Sequence, residues 1–461
     1  MINYFNFKPF RDRYLLTNDF GNYLFATKAE LQALLLNDVD YQSEFGILAK
    51  SKLFCSDHSL PHFSEEAMYH YRDAKNYVFH STSLHIFVVT TACNMQCVYC
   101  QAQNGSSIPQ GMMTKEIAKR AVDIALSTPE QFLNFEFQGG EPLLNFEIIK
   151  YIVTYTEEHK GSKTIQYNVV TNLTLLTKEV VDFFASNNVG VSTSIDGHFV
   201  VHNLNRVFRN GKGSFEAVSE GIALLQSAKV PFGAIETTTR FSFPYAQNIV
   251  DTYESIGLDN LFVRPLTPLG CAQKDWDIIG YTPAEFLQFY SKCFDAIIQK
   301  NLGGYYIKEG HAALLLPKIL TGSAINYMEL RSPCGASIGQ IAYYYDGNIY
   351  TCDEGRMLAE MGDSSFYLGN VFDSSYSDLM DSHVCKAACS ASFLESIPNC
   401  ADCVYQPYCG TCPVINYSEM GNIIPNRPGD YKCKIYMGML DIIFEALLDE
   451  TKTHILESWI N

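Results

Sequence analysis

Three cysteines, Cys93, Cys97 and Cys100, fall within one short stretch of the 461-residue chain. Three thiolates on a tight loop can hold three irons of a 4Fe–4S cube and leave the fourth iron open to another molecule. Structural zinc more commonly takes four ligands from paired Cys-x-x-Cys units. No Asp, Glu, Lys or Arg occurs from Ser81 through Thr114, which suits a largely apolar surround for a cluster. Seven of the nine cysteines in the last third of the chain form a second set: Cys334, Cys352, Cys400, Cys403, Cys409, Cys412 and Cys433. Taken alone, this second set is as compatible with a zinc ribbon as with iron and sulfur.

The composition frames that chemistry. With 47% hydrophobic and 18% charged residues, 29 Tyr and 30 Phe, the chain is a packed globular protein of two or three units. Its 33 Lys and Arg against 50 Asp and Glu give a net charge of −17. That balance opposes contact with phosphate backbones, so no nucleic-acid partner is expected. The opening residues lack a basic-then-apolar signal pattern and no run reads as a membrane span, so the expected place is the cytosol. Structural disulfides are disfavoured there, and fifteen cysteines then point to metal or redox chemistry.

The cysteines must be positioned by the elements around them. Residues 1–80 read as a small unit: a strand Arg13 to Thr17, a turn Asn18-Asp19-Phe20-Gly21, a second strand and a helix around Thr27 to Leu36. This is winged-helix-like, but eight Lys/Arg against ten Asp/Glu favour a peptide-binding or structural role over DNA.

From Leu84 to about residue 310 the pattern alternates. Strands are expected at Leu84 to Thr90, Leu133 to Gln138, Thr164 to Val170, Val189 to Ile195, Phe232 to Thr239 and Leu261 to Pro265. Helices are expected near Thr114 to Ser127, Asn145 to His159, Thr177 to Asn187, Ser214 to Ala228, Tyr245 to Ile256 and Pro283 to Lys300. Six βα units predict a parallel sheet, as a partial barrel or doubly wound. Residues 311–461 are loop- and cysteine-rich, with a hairpin turning at Asp346-Gly347 and a final helix from about Tyr436 to Leu456.

Cys-x3-Cys-x-aromatic-Cys after the first strand of such a series resembles the radical S-adenosylmethionine (SAM) enzymes. The resemblance implies an α/β fold with a partial (β/α)6 TIM-like barrel, a SAM-binding 4Fe–4S cluster on Cys93, Cys97 and Cys100, and a reducing electron donor. Gly139-Gly140-Glu141-Pro142 ends the second strand like the family's GGEP, whose exposed backbone and carboxylate hold the SAM ammonium. Thr171-Asn172 ends the third strand. Ser194-Ile195-Asp196-Gly197 ends the fourth, followed by His202 and Arg206. By resemblance Ser194 contacts the ribose, Arg206 takes the SAM carboxylate, and Tyr99, Asn172 and Asp196 complete the cofactor-binding set.

With this first site in view, the second cysteine set resembles the SPASM iron–sulfur extension of peptide-modifying relatives. The resemblance implies two auxiliary clusters, one on Cys400, Cys403, Cys409 and Cys433, the other on Cys334, Cys352 and Cys412. Two residues separate Cys409 from Cys412 where the family has three, and no cysteine stands just before Cys334. That leaves an open iron or a ligand from Cys385, Cys389 or Cys271, while Cys55 and Cys293 are expected to pack as small hydrophobes. Asp353 stands where sulfatase-maturing relatives keep a catalytic aspartate; its bland alternative is a solvated turn carboxylate.

Three stretches, Tyr14 to Asp19, Phe135 to Asn145 and Asp353 to Asp363, look like the His-Xaa-Ser system radical SAM maturases. That implies oxidation, and crosslinking, of a ribosomally made precursor peptide, alongside a second radical SAM maturase. The first unit would bind a leader strand at a sheet edge. Two other readings stand beside it: formylglycine formation or epimerisation, and a non-catalytic iron–sulfur or zinc scaffold that passes a leader peptide to a partner.

Overall fold

The computed structural model describes residues 1–102, 111–426 and 429–460. Part of the uncharged stretch after Cys100 therefore lies outside the described residues. The chain begins with a three-stranded antiparallel sheet, β1 (Asn6–Phe10), β2 (Arg13–Thr17) and β3 (Tyr23–Ala26), in that order. Three helices follow: α1 (Lys28–Leu35), α2 (Glu44–Ser51) and α3 (Leu60–Ala74). Thr27 and Glu30 start α1 as a reciprocal capping box. β1 is not among the expected strands, and it contains Pro9. It lies at the sheet edge, pairing only with β2, where proline is tolerated.

Six parallel strands then run in sequential order: β4 (Leu84–Thr90), β5 (Phe132–Gly139), β6 (Thr164–Val170), β7 (Val189–Ser194), β8 (Phe232–Thr237) and β9 (Asn260–Arg264). The helices between them include α4 (Lys115–Ser127), α5 (Phe146–His159), α6 (Lys178–Ser186), α7 (Phe199–Asn205), α8 (Phe215–Ser227) and α9 (Ala246–Ser255). A doubly wound sheet reverses its order at a switch point, and this one does not. The order is that of a barrel left open. α4 shows how the layers join: it buries Ile117, Ala118, Ala121, Val122 and Ala125 at helical spacing, each large apolar side chain contributing roughly 1.5–3 kcal/mol.

Two features of the sheet were not anticipated. A seventh parallel strand, β10 (Lys308–Glu309), extends it beyond β9. At the opposite edge β4 pairs in parallel with β11 (Gln340–Tyr343), followed by the antiparallel strands β12 (Asn348–Tyr350) and β13 (Tyr367–Asn370). The hairpin of the cysteine-rich region is thus hydrogen-bonded onto the barrel, in one ten-stranded sheet. Its turn uses Gly347 at φ +94°, a left-handed position that glycine accepts without strain.

The expected final helix is corrected to two, Tyr431–Ala446 and Glu450–Ser458. Asp449 breaks the run because its side chain accepts from the Lys452 amide as a new N-cap. The first of these helices also holds the N-terminal sheet, with the Tyr23 ring edge-on to Phe444 at 5.3 Å. Nearby, Thr17 Oγ1 donates to the Val404 carbonyl at 2.6 Å and Tyr408 to the Gly21 carbonyl at 2.8 Å. Among the described residues, no helix is long and apolar enough to cross a membrane.

Candidate active site

The loop after β4 carries Cys93, Cys97 and Cys100 and is pinned by the segment following α7. The Gln96 amide donates to the Val207 carbonyl at 2.8 Å, the Val98 amide to Asn205 at 2.9 Å, and Arg209 Nε to the Cys93 carbonyl at 2.7 Å. The three cysteines line one cavity of about 580 Å³ that runs along the inner face of the sheet, from Leu84 and Asn134 to the carboxyl ends of the strands. Burial pushes Cys93 up to about 11, with Cys97 adding to the shift. Burial also raises Cys100, followed by the repulsion of Cys97, Cys93 and Cys271. Three mutually repelling buried sulfurs hold protons unless a positive centre takes their place.

The expected SAM-binding residues divide into two groups. Tyr99, Gly139, Gly140, Asn172, Ser194 and Arg206 line the same cavity as the thiols. Glu141 and Asp196 do not; both are fully buried behind it. The Glu141 carboxylate, expected at the SAM ammonium, accepts instead from the Asn172 amide (2.7 Å), Thr171 Oγ1 (2.7 Å) and the Leu143 amide (3.0 Å). It fixes the end of β6 from within, because three donors outcompete an exposed position. Burial raises Glu141, and the Asn172 amide is the largest effect opposing it.

Asp196 anchors a second network. It accepts from the Tyr99 hydroxyl at 3.0 Å and from Asn205 Nδ2 at 3.0 Å. Tyr99 in turn accepts from Arg206 Nη1 at 3.0 Å. His202 accepts from the Asp196 amide at 3.2 Å through Nδ1 and meets Ser214 Oγ at 3.0 Å through Nε2. Arg206 is buried, and its Nε has no hydrogen-bond partner among the described residues. Burial opposes its charge, but Cys97, Tyr99 and Asp196 outweigh that and raise its pKa. An orphaned cationic donor beside three thiols fits a bound carboxylate, such as that of SAM, next to an iron–sulfur cluster.

The glycines admit the chain as well as a ligand. A Cβ on Gly139 would meet the Thr90 carbonyl oxygen at 2.2 Å, and one on Gly140 the Ala92 oxygen at 2.3 Å. β5 therefore passes directly under the start of the cysteine loop, where the Gly140 amide donates to Thr90 at 2.9 Å.

Asp353 also lines the cavity, with Glu136, Gln138, Arg264, Glu329, Glu354 and Arg356. Its Oδ1 accepts from Arg356 Nε at 2.7 Å, and Arg356 further donates to Glu360 (2.8 Å) and Gln138 (3.1 Å). Asp353 is thus an ion-paired wall residue. Sequence reading missed Glu136 and Gln138, although they alternate along β5 with the core residues Phe135 and Phe137; that period of two marks an inward polar row.

In the second set, Cys334, Cys352 and Cys412 share one buried apolar cluster with Leu269, Phe366 and Val414. Burial raises Cys352, then Glu354, Cys412 and Cys334. Cys403 is raised by burial and by Cys409. Among the described residues, no three His, Cys, Asp or Glu side chains stand close enough to hold a single metal ion. Cys271 belongs beside the first loop, its amide donating to the Cys100 carbonyl at 2.9 Å. Cys55 and Cys293 are fully buried in apolar surroundings.

Comparison with known proteins places this geometry. Residues 87–242 match the Radical SAM superfamily model. The chain is 33% identical over 183 residues to an uncharacterized protein of Methanocaldococcus jannaschii, a match covering 40% of this chain and 62% of that protein. It is 25% identical to the cysteine-type anaerobic sulfatase-maturating enzyme of Clostridium novyi, over 71% of this chain and 87% of the relative. The fold is similar to that of anSMEcpe with bound AdoMet (SAM) and Kp18Cys peptide (TM-score 0.68, 22% identity, 81% of this chain and 99% of that one). It is also similar to Streptococcus suis SuiB bound to precursor peptide SuiA (TM-score 0.55, 16% identity, 93% and 99%). Residues 87–242 thus match the Radical SAM superfamily, whose cofactors are SAM and a 4Fe–4S cluster.

Proposed function

We propose that this chain is a cytosolic radical SAM oxidoreductase that modifies a ribosomally made precursor peptide of the His-Xaa-Ser type, forming a crosslink within it. The observation that carries the reading is a single cavity lined by Cys93, Cys97, Cys100, Arg206 and Asp353 together. Cys93, Cys97 and Cys100 would hold the cluster, and Arg206 Nε would take the SAM carboxylate. The Gly139-Gly140 backbone, Asn172 and Ser194 would position the rest of the cofactor. Bound there, the cluster and SAM supply a 5′-deoxyadenosyl radical that removes one hydrogen atom from the peptide.

A crosslink needs a second hydrogen to leave as a proton and an electron. Asp353 accepts the proton, held toward the cavity by Arg356. Cys334, Cys352 and Cys412, and separately Cys400, Cys403, Cys409 and Cys433, would hold SPASM-type auxiliary clusters that give the electron a destination. The unit of residues 1–80, read as winged-helix-like, would bind the leader by adding a strand to its three-stranded sheet. A second radical SAM maturase and a reducing donor complete the system. Support comes from the solved neighbours that hold peptides, Kp18Cys in one and the precursor SuiA in the other.

Formylglycine formation is the second reading, favoured by the sulfatase-maturating relative that aligns over most of its own length. Anaerobic reconstitution with SAM, reductant and precursor peptide separates the two. The first reading expects 5′-deoxyadenosine and a peptide lighter by two hydrogens that carries no aldehyde, and an unchanged peptide mass refutes it. A Cys or Ser converted to an aldehyde supports the second.

A further inference from the structure

The barrel is hollow where a closed one would be packed. Bulky branched side chains fill a closed barrel in layers; here the inward rows are Asn134, Glu136 and Gln138 on β5 and Ser192 and Ser194 on β7, all on the wall of the SAM cavity. That wall follows β5 from Asn134 to Gly139, about 16 Å at the rise of an extended strand. The residues proposed for SAM, among them Gly139, Gly140 and Ser194, stand at the carboxyl ends of the strands. The amino end of the lumen has no assigned occupant.

A second cavity, of about 460 Å³, begins at that end. Ser83, Asn134 and Asn326 line both cavities, so the two meet near the amino ends of β4 and β5. Backbone and side chain fix the meeting point: the Asn134 amide donates to the Ser83 carbonyl at 2.7 Å, and Asn168 Nδ2 donates to Asn134 Oδ1 at 2.6 Å. On its far side the second cavity reaches solvent past Phe132, which is 70% exposed, and past the exposed Thr164 and Gln166.

Its chemistry is that of amides. Asn76, Asn134, Gln166 and Asn326 line it, each offering donors and an acceptor. Its ionisable lining residues, His80 and Glu130, pair with each other at 3.2 Å. A peptide main chain presents one donor and one acceptor per residue, so an amide-lined passage whose charges are paired suits an extended peptide better than an ionic small molecule. We propose that the substrate peptide runs the length of the lumen and continues into this second cavity, where Asn76, Gln166 and Asn326 bind the main chain of the segment beyond the reacting residue. The proposal rests on the peptide-modifying reading above and adds a binding site outside the SAM cavity.

The test uses the full chain, reconstituted anaerobically with iron, sulfide, SAM and reductant, and synthetic peptides built on a His-Xaa-Ser repeat and lengthened separately at each end beyond the modified residue. With the parent, the apparent KM should fall about tenfold once one end exceeds ~five residues, the reach of the lumen and the worth of one or two amide hydrogen bonds. Gln166→Trp and Thr164→Trp, at exposed positions on the second cavity, should each cancel that gain, so that long and short peptides share one KM; SAM binding on the same samples reports the fold. In the parent, a benzophenone near the far end of the long peptide should label residues 76–83 or 132–134. A KM independent of length at both ends overturns the proposal, as does a gain that survives both substitutions or labelling confined to other segments. Substitutions that slow 5′-deoxyadenosine release equally at every length overturn it too, since the cavity is then a product exit. A parent that forms 5′-deoxyadenosine yet modifies no peptide overturns the reading of function beneath it, and this proposal with it.

Discussion

Arg206 Nη1 donates to the Tyr99 hydroxyl over 3.0 Å, and the Tyr99 hydroxyl donates in turn to the Asp196 carboxylate at the same distance. The aromatic residue of the cysteine loop thus holds Arg206, a cavity-lining residue whose buried Nε has no hydrogen-bond partner among the described residues. Tyr99→Phe removes both charge-assisted bonds; loss of the one that holds Arg206, of order 1.5 kcal/mol, should weaken SAM binding about tenfold. Arg206→Lys should cost more, because ammonium lacks the planar fork that serves Tyr99 and a carboxylate together. Equilibrium SAM binding to reconstituted protein measures both.

Gly140→Ala places a methyl group 2.3 Å from the Ala92 carbonyl oxygen. Backbone on both sides cannot yield as a side chain would, so the strain should be about 1–3 kcal/mol and fall on the cysteine loop. Iron loading of the first site should drop while the circular dichroism of the barrel stays unchanged.

Arg356 is almost wholly buried between Asp353, Glu360 and Gln138. Arg356→Gln leaves buried carboxylates without their cation and should destabilise the fold by about 3–5 kcal/mol. Asp353→Asn, at the cavity wall, should cost less stability yet stop peptide oxidation while 5′-deoxyadenosine still forms. Denaturant midpoints and product analysis read the two effects separately.

His85 is buried on β4 with Nδ1 3.1 Å from the Tyr343 hydroxyl of the joined strand β11. Burial lowers it from 6.5 to about 3. The unfolded chain therefore binds a proton near pH 6.5 that the folded chain refuses. Stability from the neutral ring is complete above pH 6.5 and is lost as pH falls toward 3, by about 1.4 kcal/mol per unit. His85→Gln should flatten the pH dependence of the urea midpoint over that window.

Much of the architecture was legible because helices and strands with one buried face announce their period. The strands at Leu84 to Thr90 and Thr164 to Val170 match their expected bounds. What the sequence concealed was long-range pairing: nothing local tells that Ile341 will sit beside His85 and make the cysteine-rich hairpin part of the barrel sheet. Glu141 and Asp196 show a similar limit in the site. Both follow the expected motifs, yet their carboxylates are claimed by Thr171, Asn172 and Tyr99, partners far away in sequence, and by Asn205 on the next helix. Motif position fixed which loops meet, while hydrogen-bond competition decided which side chains face the cavity.

The central claim is that one cavity couples SAM cleavage to peptide oxidation. The most direct measurement is high-resolution mass spectrometry of precursor peptide incubated anaerobically with reconstituted protein, SAM and reductant, with 5′-deoxyadenosine quantified in the same sample. The account predicts 5′-deoxyadenosine together with a peptide lighter by two hydrogens, both abolished by Cys97→Ala. Peptide of unchanged mass alongside 5′-deoxyadenosine, or oxidation that survives Cys97→Ala, would contradict it.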